Sequence, residues 1–126
     1  MPAKVEHLKK AEHNEAFFNS LDIDKTNYLD WVVNGIFYSA IHYIEAYFAM
    51  QDKDSESHYH RTVLIEEDHN LGRRFFTDMY RELRDDCYEG RYLMRVFTAH
   101  EIKRYIIPNF ENIKHYLQQY IPQIKA

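Results

Sequence analysis

The chain has 126 residues, an aromatic content of 16% and only three glycines and three prolines, so a packed globular protein is expected. Its net charge of -4 argues against binding nucleic acid through charge alone, and its mean hydropathy of -0.64 is typical of a soluble protein. Because a chain of this length buries one core, we expect one domain over residues 1–126.

The single cysteine, Cys87, cannot form an intramolecular disulfide, and no apolar run follows the positive charges of the first residues. The cytoplasm is therefore the expected location. Residues 31–50 are long enough to cross a bilayer, but Asn34, His42 and Glu45 lie within them. No association with a membrane is expected.

The spacing of apolar residues predicts a first helix over about residues 4–20, which the polar run SLDIDKTN ends. Asn27 is predicted to cap a second helix that continues to about Met50. After the polar stretch QDKDSES, Ser57 is predicted to cap a third helix that starts at His58 and ends near residues 69–70.

A fourth helix is predicted to end at Gly90 in the left-handed conformation. Its predicted core residues are Phe75, Phe76, Met79, Tyr80, Leu83 and Cys87. Thr98 and Glu101 form a T-x-x-E capping box, which predicts a last helix toward Tyr120, kinked or delayed by Pro108. No segment alternates with the period of a strand, so the expected fold is all-α, an up-and-down bundle of four to five helices.

The second helix carries a polar stripe on an otherwise apolar segment. Asn34, Tyr38, His42 and Glu45 lie within about 80° of one another around the helix axis. Because an unpaired buried ion is costly, this stripe must face water, a partner helix or a ligand. A thin exposed edge and a core histidine satisfied by its neighbours are both open interpretations of the same pattern.

Two features favour anion binding. His58 and Arg61 lie three residues apart in the first turn of the third helix, where backbone amides attract anions. Residues 71–104 hold eight basic residues, seven of them arginine, whose guanidinium matches phosphate. A capped surface turn and a salt-bridged helix surface are the alternatives.

Several spaced motifs together resemble the HEPN domain family. They are W-x6-Y-x3-H at Trp31, Tyr38 and His42, S-H-x-x-R at Ser57, His58 and Arg61, and Y-x2-L followed by R-Y at Tyr80, Leu83, Arg91 and Tyr92. The resemblance covers nearly the whole chain. It implies a helical bundle, commonly a homodimer, that binds nucleotides or cleaves RNA without metal in toxin–antitoxin and defence systems.

Ribonucleases of this family carry an arginine and a histidine with four to six residues between them, and Arg95 and His100, with four residues between them, have that spacing. They are the catalytic residues that the resemblance implies, and in a dimer their two copies could face each other. Histidine suits the transfer of the 2′-hydroxyl proton, and arginine suits stabilisation of the phosphorane. An endoribonuclease without a cofactor is therefore one expectation.

A second set of residues suits nucleotide or phosphate recognition. It comprises His42, His58, Arg61 and Arg91, with Tyr38 and Glu45 holding His42. Two further classes stay open: a non-catalytic helical module that docks a nucleotidyltransferase-like protein, and a metal site formed by His42, His58 and either His60 or His69.

Overall fold

The most apolar helix of the chain, α2 (Leu29–Ala49), lies at the centre of an all-α bundle. The computed structural model describes residues 3–125, and that part of the chain contains no strand. Helix α1 spans Lys4–Asn19, α3 spans His58–Glu67 and α4 spans Arg74–Tyr92. Because α2 packs against α1, α4 and the last helix, both of its sides are covered.

The last helix, α5, is continuous but not uniform. It begins as Ala99–Glu101, widens into a π-helical turn over Ile102–Ile106 and continues as a regular α-helix over Ile107–Gln118. The capping box at its start is confirmed. The expected delay of the regular part is also confirmed, since that part begins next to Pro108.

Helices α1 and α2 run antiparallel and approach each other closely. His7 contacts His42, and the Ser39 hydroxyl donates to the Ala11 carbonyl over 2.9 Å. Later residues of α1 therefore contact earlier residues of α2, as in an antiparallel pair. The close approach depends on Gly35, where an added Cβ would lie 3.2 Å from the Phe17 ring. This pairing places one edge of α1 beside the polar stripe of α2.

Three details differ from the sequence-based predictions. Asn27 does not cap α2, which begins at Leu29, because the Thr26 hydroxyl accepts the Tyr28 N–H over 3.1 Å and forms the turn instead. Gly90 does not end α4, which continues for two more residues, and Met94 adopts the left-handed conformation (φ 59°). Phe75 is half exposed and packs edge-on against a ring of α5.

The remaining elements match their predictions closely. The Ser57 hydroxyl accepts the His60 N–H over 3.0 Å and caps α3 as expected. Phe76, Tyr80, Leu83 and Cys87 face the core from α4.

None of the helices between residues 3 and 125 has both the length and the apolar character needed to cross a membrane.

Candidate functional site

A hydrogen bond between α2 and α4 forms the centre of the candidate site. The Arg91 guanidinium donates to the Tyr38 hydroxyl over 2.6 Å and lies 5.8 Å from the centre of the Tyr38 ring. It also stacks on Tyr92 at 5.3 Å. The Tyr38 hydroxyl accepts this bond, so its own hydrogen stays available for a further partner. Two cavities meet at this pair.

The first, which we call the Trp31 cavity, has a volume of about 440 Å³ and lies between α1 and α2, with Arg91 reaching in from α4. Its lining residues are Lys10, Asn14, Phe17, Trp31, Asn34, Gly35, Tyr38, His42 and Arg91. None of these is Asp or Glu. In a chain of net charge -4, a cavity with two permanent cations and no lining carboxylate has a locally positive lining that would attract an anion.

The second, which we call the Tyr88 cavity, has a volume of about 250 Å³ and lies on the other side of the Tyr38–Arg91 pair. Its lining residues are Phe37, Tyr38, His58, Arg84, Asp85, Cys87, Tyr88, Arg91 and Tyr92. The charge of Arg84 is partly offset by Asp85, 3.2 Å away. This cavity is therefore mainly aromatic and suits a flat ring more than a second phosphate.

His42 does not stand alone in the Trp31 cavity. Its Nδ1 lies 3.1 Å from Nδ1 of His7, a buried residue of α1, and the ring centres are 5.3 Å apart. Burial is the main cause that lowers the pKa of His42 to about 4; the neighbouring His7 and Lys10 act in the same direction, and Glu45 opposes them. Burial also lowers the pKa of His7. Both rings are therefore neutral at pH 7 in the free protein.

Glu45 and Arg61 line neither cavity. Arg61 Nε donates to Glu45 Oε1 over 2.8 Å, and the Ser55 hydroxyl donates to the same oxygen. Arg61 Nη1 lies 2.9 Å from His58 Nδ1, which must therefore accept. Burial and the nearby arginines lower the pKa of His58, in agreement with a neutral ring. The Arg61–Glu45 ion pair thus orients the His58 ring and holds α3 against α2.

Arg95 lies in an acidic cluster. Its guanidinium is 2.5 Å from Asp86, 3.3 Å from Glu89 and 2.8 Å from Glu101, and it stacks on Phe97 at 4.6 Å. These three carboxylates take three of its five N–H donors and more than offset its positive charge, so a phosphate would be repelled there. His100 is exposed in the first turn of α5, and neither Arg95 nor His100 lines the Trp31 or the Tyr88 cavity.

The structure thus brings Tyr38, His42, His58 and Arg91 together around the two cavities. Sequence reasoning missed His7, Lys10 and Arg84. His7 and Lys10 lie three residues apart on one face of α1, but nothing local indicates that this face meets the polar stripe of α2. Their partners are more than thirty residues away along the chain.

Two other features offer less. A groove of about 670 Å³ lies between α4 and α5 at Phe75, but no residue predicted for the site lines it, and its only ionisable lining groups are His115 and Tyr116. Within residues 3–125, no three side chains of His, Cys, Asp or Glu converge in a way that could hold a metal ion. The Tyr38–Arg91 cleft is therefore the best candidate.

Comparisons with protein-family models, with curated proteins and with solved structures found no match to this chain. The functional interpretation consequently depends on the residues and geometry of the chain itself.

Proposed function

We propose that this protein binds a nucleotide or an RNA phosphate in the cleft formed by the Trp31 and Tyr88 cavities. The observation that carries this proposal is the Arg91 side chain, held by the Tyr38 hydroxyl at the junction of a cationic and an aromatic cavity. Arg91 lines both cavities, and the N–H donors of its planar guanidinium match the oxygens of a phosphate.

The phosphate and the base of a nucleotide each have a matching group in the cleft. Lys10, Arg91 and the Tyr38 hydroxyl suit the phosphate, and the neutral His42 ring can accept or donate a hydrogen bond. The exposed Trp31 ring offers a stacking surface for a base, worth about 1–3 kcal/mol in proteins that bind single strands. The aromatic Tyr88 cavity offers a second such surface.

The expected HEPN-like character agrees with this ligand class, and we keep it as part of the proposal. Catalysis stays a prediction. In a ribonuclease Arg95 would have to bind a phosphate against the charge of three neighbouring carboxylates, whereas Arg91 is already placed next to an acid-free cavity. Binding is therefore the better supported part of the expected function.

Titration calorimetry with AMP, and separately with a short single-stranded RNA, tests the proposal. We expect Arg91→Gln to weaken binding by at least about tenfold, which corresponds to roughly 1.4 kcal/mol. Arg74→Gln is the matched control, because Arg74 is almost fully exposed on the same helix, about 25 Å away at 1.5 Å per residue. Absence of binding to the unmodified protein, or equal losses in both variants, would overturn the proposal.

Incubation of purified protein with RNA tests cleavage separately. If Arg95 and His100 are catalytic, His100→Ala abolishes cleavage and His42→Ala retains it. The opposite pattern places the reaction in the Trp31 cavity. No cleavage by the unmodified protein would leave a binding protein and end the nuclease interpretation.

The expected homodimer has support from a second surface. Tyr28, Leu93, Met94 and Val96 are exposed beside the start of α2 and in the segment before α5, and Met94 is 87% exposed. A cavity of about 440 Å³ separates the start of α2 from the Met94–Val96 side. Exposed apolar side chains concentrated at one place are typical of an interface, and we propose a second copy of this chain as the occupant.

Analytical ultracentrifugation tests the dimer. We expect the double variant Met94→Asp with Val96→Asp to sediment as a monomer, and Tyr59→Ser, which removes an exposed aromatic ring from α3, to sediment as the unmodified protein does. A monomeric unmodified protein would contradict the dimer and would favour docking of a different protein, such as the nucleotidyltransferase-like partner expected from the sequence.

A further inference from the structure

The contact between His7 and His42 limits how the two rings can carry protons. Their Nδ1 atoms lie 3.1 Å apart, so one of them must carry a hydrogen and the other must accept it. The accepting ring then holds its own proton on Nε2, and the donating ring has a bare Nε2. The neutral pair therefore has one vacant nitrogen that can take a proton without breaking the bridge.

A second additional proton would be different. With two extra protons, both Nδ1 atoms carry hydrogen and repel each other across the same 3.1 Å. The geometry thus sets the capacity of the pair at one proton. The product is one imidazolium bonded to one neutral imidazole, with both Nε2 atoms as donors.

Charges on every side of the pair nearly balance. Glu6 and Lys10 face it from α1, Glu45 from α2, Asp54 from the loop before α3, and Arg61 from α3. Glu45 and Arg61 neutralise each other in their own ion pair. Burial therefore decides the state of the free protein, and it keeps both rings neutral. An anion in the Trp31 cavity would change this balance, because His42 lines that cavity.

We infer that the His7–His42 pair takes up one proton from solvent when a phosphate enters the Trp31 cavity, with His7 as the positioning residue that makes this uptake favourable. This inference rests on the proposed function. The added proton places a positive charge beside the anion, and the bridge to His7 gives the Nδ1–H of His42 an acceptor in a buried place.

The number of protons taken up is measured by calorimetric titration with AMP at each pH in buffers of different ionisation enthalpy. For the unmodified protein we expect a net uptake of protons that grows as the pH is lowered from 7.5 to 6 and does not exceed one per chain, beyond any proton that AMP itself releases or gains. We also expect the affinity to weaken as the pH rises from 6 to 8. The protonation of free AMP, titrated alone, is subtracted.

Substitutions of His7 separate its role from simple packing. His7→Phe keeps a ring against His42 but removes the acceptor, so we expect the proton uptake to disappear and the pH dependence of affinity to flatten. His7→Asn returns an amide oxygen near the position of Nδ1 and is expected to restore uptake. His13→Asn, an exposed histidine of the same helix, is the control and should behave as the unmodified protein does.

The outcomes distinguish the two levels of the proposal. If AMP does not bind to the unmodified protein, the proposed function fails. If AMP binds with no proton uptake beyond its own, the linkage is wrong and the proposed function stands. If His7→Phe takes up as many protons as the unmodified protein, the role of His7 is wrong. If that variant does not fold, histidine NMR titrations of the unmodified protein, with and without AMP, test the linkage instead. We expect the pKa values of two coupled histidine rings to rise only when AMP is present.

Discussion

Arg61 and Glu45 form a buried ion pair in which the guanidinium Nε lies 2.8 Å from the carboxylate and both side chains are at most one-tenth exposed. Glu45 comes from the most apolar helix of the chain, where a carboxylate needs a specific partner. Arg61 supplies it, and the Ser55 hydroxyl and His58 complete the network. The glutamate in this apolar helix therefore serves to hold α3 in place.

Removing one member of this pair is expected to be costly. Arg61→Ala leaves Glu45 buried without its cation, and such changes cost about 3–5 kcal/mol of unfolding free energy. Arg81→Ala, which breaks the exposed pair with Glu66, should cost less than about 1 kcal/mol. Urea unfolding at pH 7 measures both. Equal effects of the two substitutions would show that the buried network is not what stabilises α3.

The histidine pair makes the stability of the free protein depend on pH. Burial lowers the pKa of His42 to about 4, below the value of about 6.5 in an unfolded chain. The unfolded state therefore binds the proton first as the pH falls, and the unfolding free energy decreases from pH 6.5 toward pH 4. Because solvent reaches the half-buried His42, we expect a loss of only about 1 kcal/mol between pH 7 and pH 5 from this pair.

Urea unfolding at several pH values measures this loss. The double variant His7→Phe with His42→Phe should lose less stability over that range than the unmodified protein, whereas His13→Asn should lose the same amount. A double variant with an unchanged pH profile would mean that other groups cause the dependence.

Cys87 is expected to be unreactive in the folded protein. Its thiol is buried and lies 3.0 Å from the Asn34 side-chain oxygen, to which it donates, and burial raises its pKa to about 11. At pH 8 the reactive thiolate is therefore scarce, and we expect labelling with Ellman's reagent to be at least about 100-fold slower than in urea, where the thiol pKa is near 8.5. Rapid labelling of the folded chain would contradict the burial of Cys87.

Gly90 is expected to resist replacement by alanine. Inside a helix, alanine is favoured over glycine by about 1 kcal/mol, but here a Cβ would lie 2.6 Å from the buried Phe97 ring. Phe97 would have to move and would disturb the Arg95 guanidinium stacked on it. We expect Gly90→Ala to reduce the unfolding free energy by about 1–3 kcal/mol.

A double variant shows whether Phe97 causes this loss. Phe97→Leu creates room, so adding Gly90→Ala to Phe97→Leu should cost less than Gly90→Ala alone. Additive losses in chemical unfolding would mean that the contact with the ring is not the reason for the glycine.

The features predicted well from the sequence are local ones. Ser57 and the Thr98–Glu101 box cap their helices through hydrogen bonds that span three residues, and the spacing of apolar residues defines the helices themselves. The prediction for Gly90 is wrong because the space for a Cβ at this position is limited by the ring of Phe97, which only the folded chain brings near. Asn27 has a side chain typical of a cap, but the sequence does not show that the neighbouring Thr26 hydroxyl takes the Tyr28 N–H.

The candidate site shows the same division. Tyr38, His42, His58 and Arg91 were predicted from helical spacing and motif, and these residues line the two cavities. His7 was not predicted, because its relation to His42 depends on how α1 packs on α2. Arg95 was matched by its spacing to His100, but spacing carries no information about the carboxylates that surround it.

The π-helical turn in α5 holds one residue more than a regular turn, and the Ile107 N–H bonds to the carbonyl of Ile102, five residues back. Since each residue of an α-helix turns the chain by about 100°, that extra residue determines the directions in which the side chains of the first turn of α5 point. A chain with one residue deleted there would wind as an uninterrupted α-helix, yet its first turn would rotate and carry Glu101 away from Arg95. The one carboxylate that α5 contributes to Arg95 thus depends on a length difference of one amino acid several positions away, whereas Asp86 and Glu89 reach the same arginine from α4.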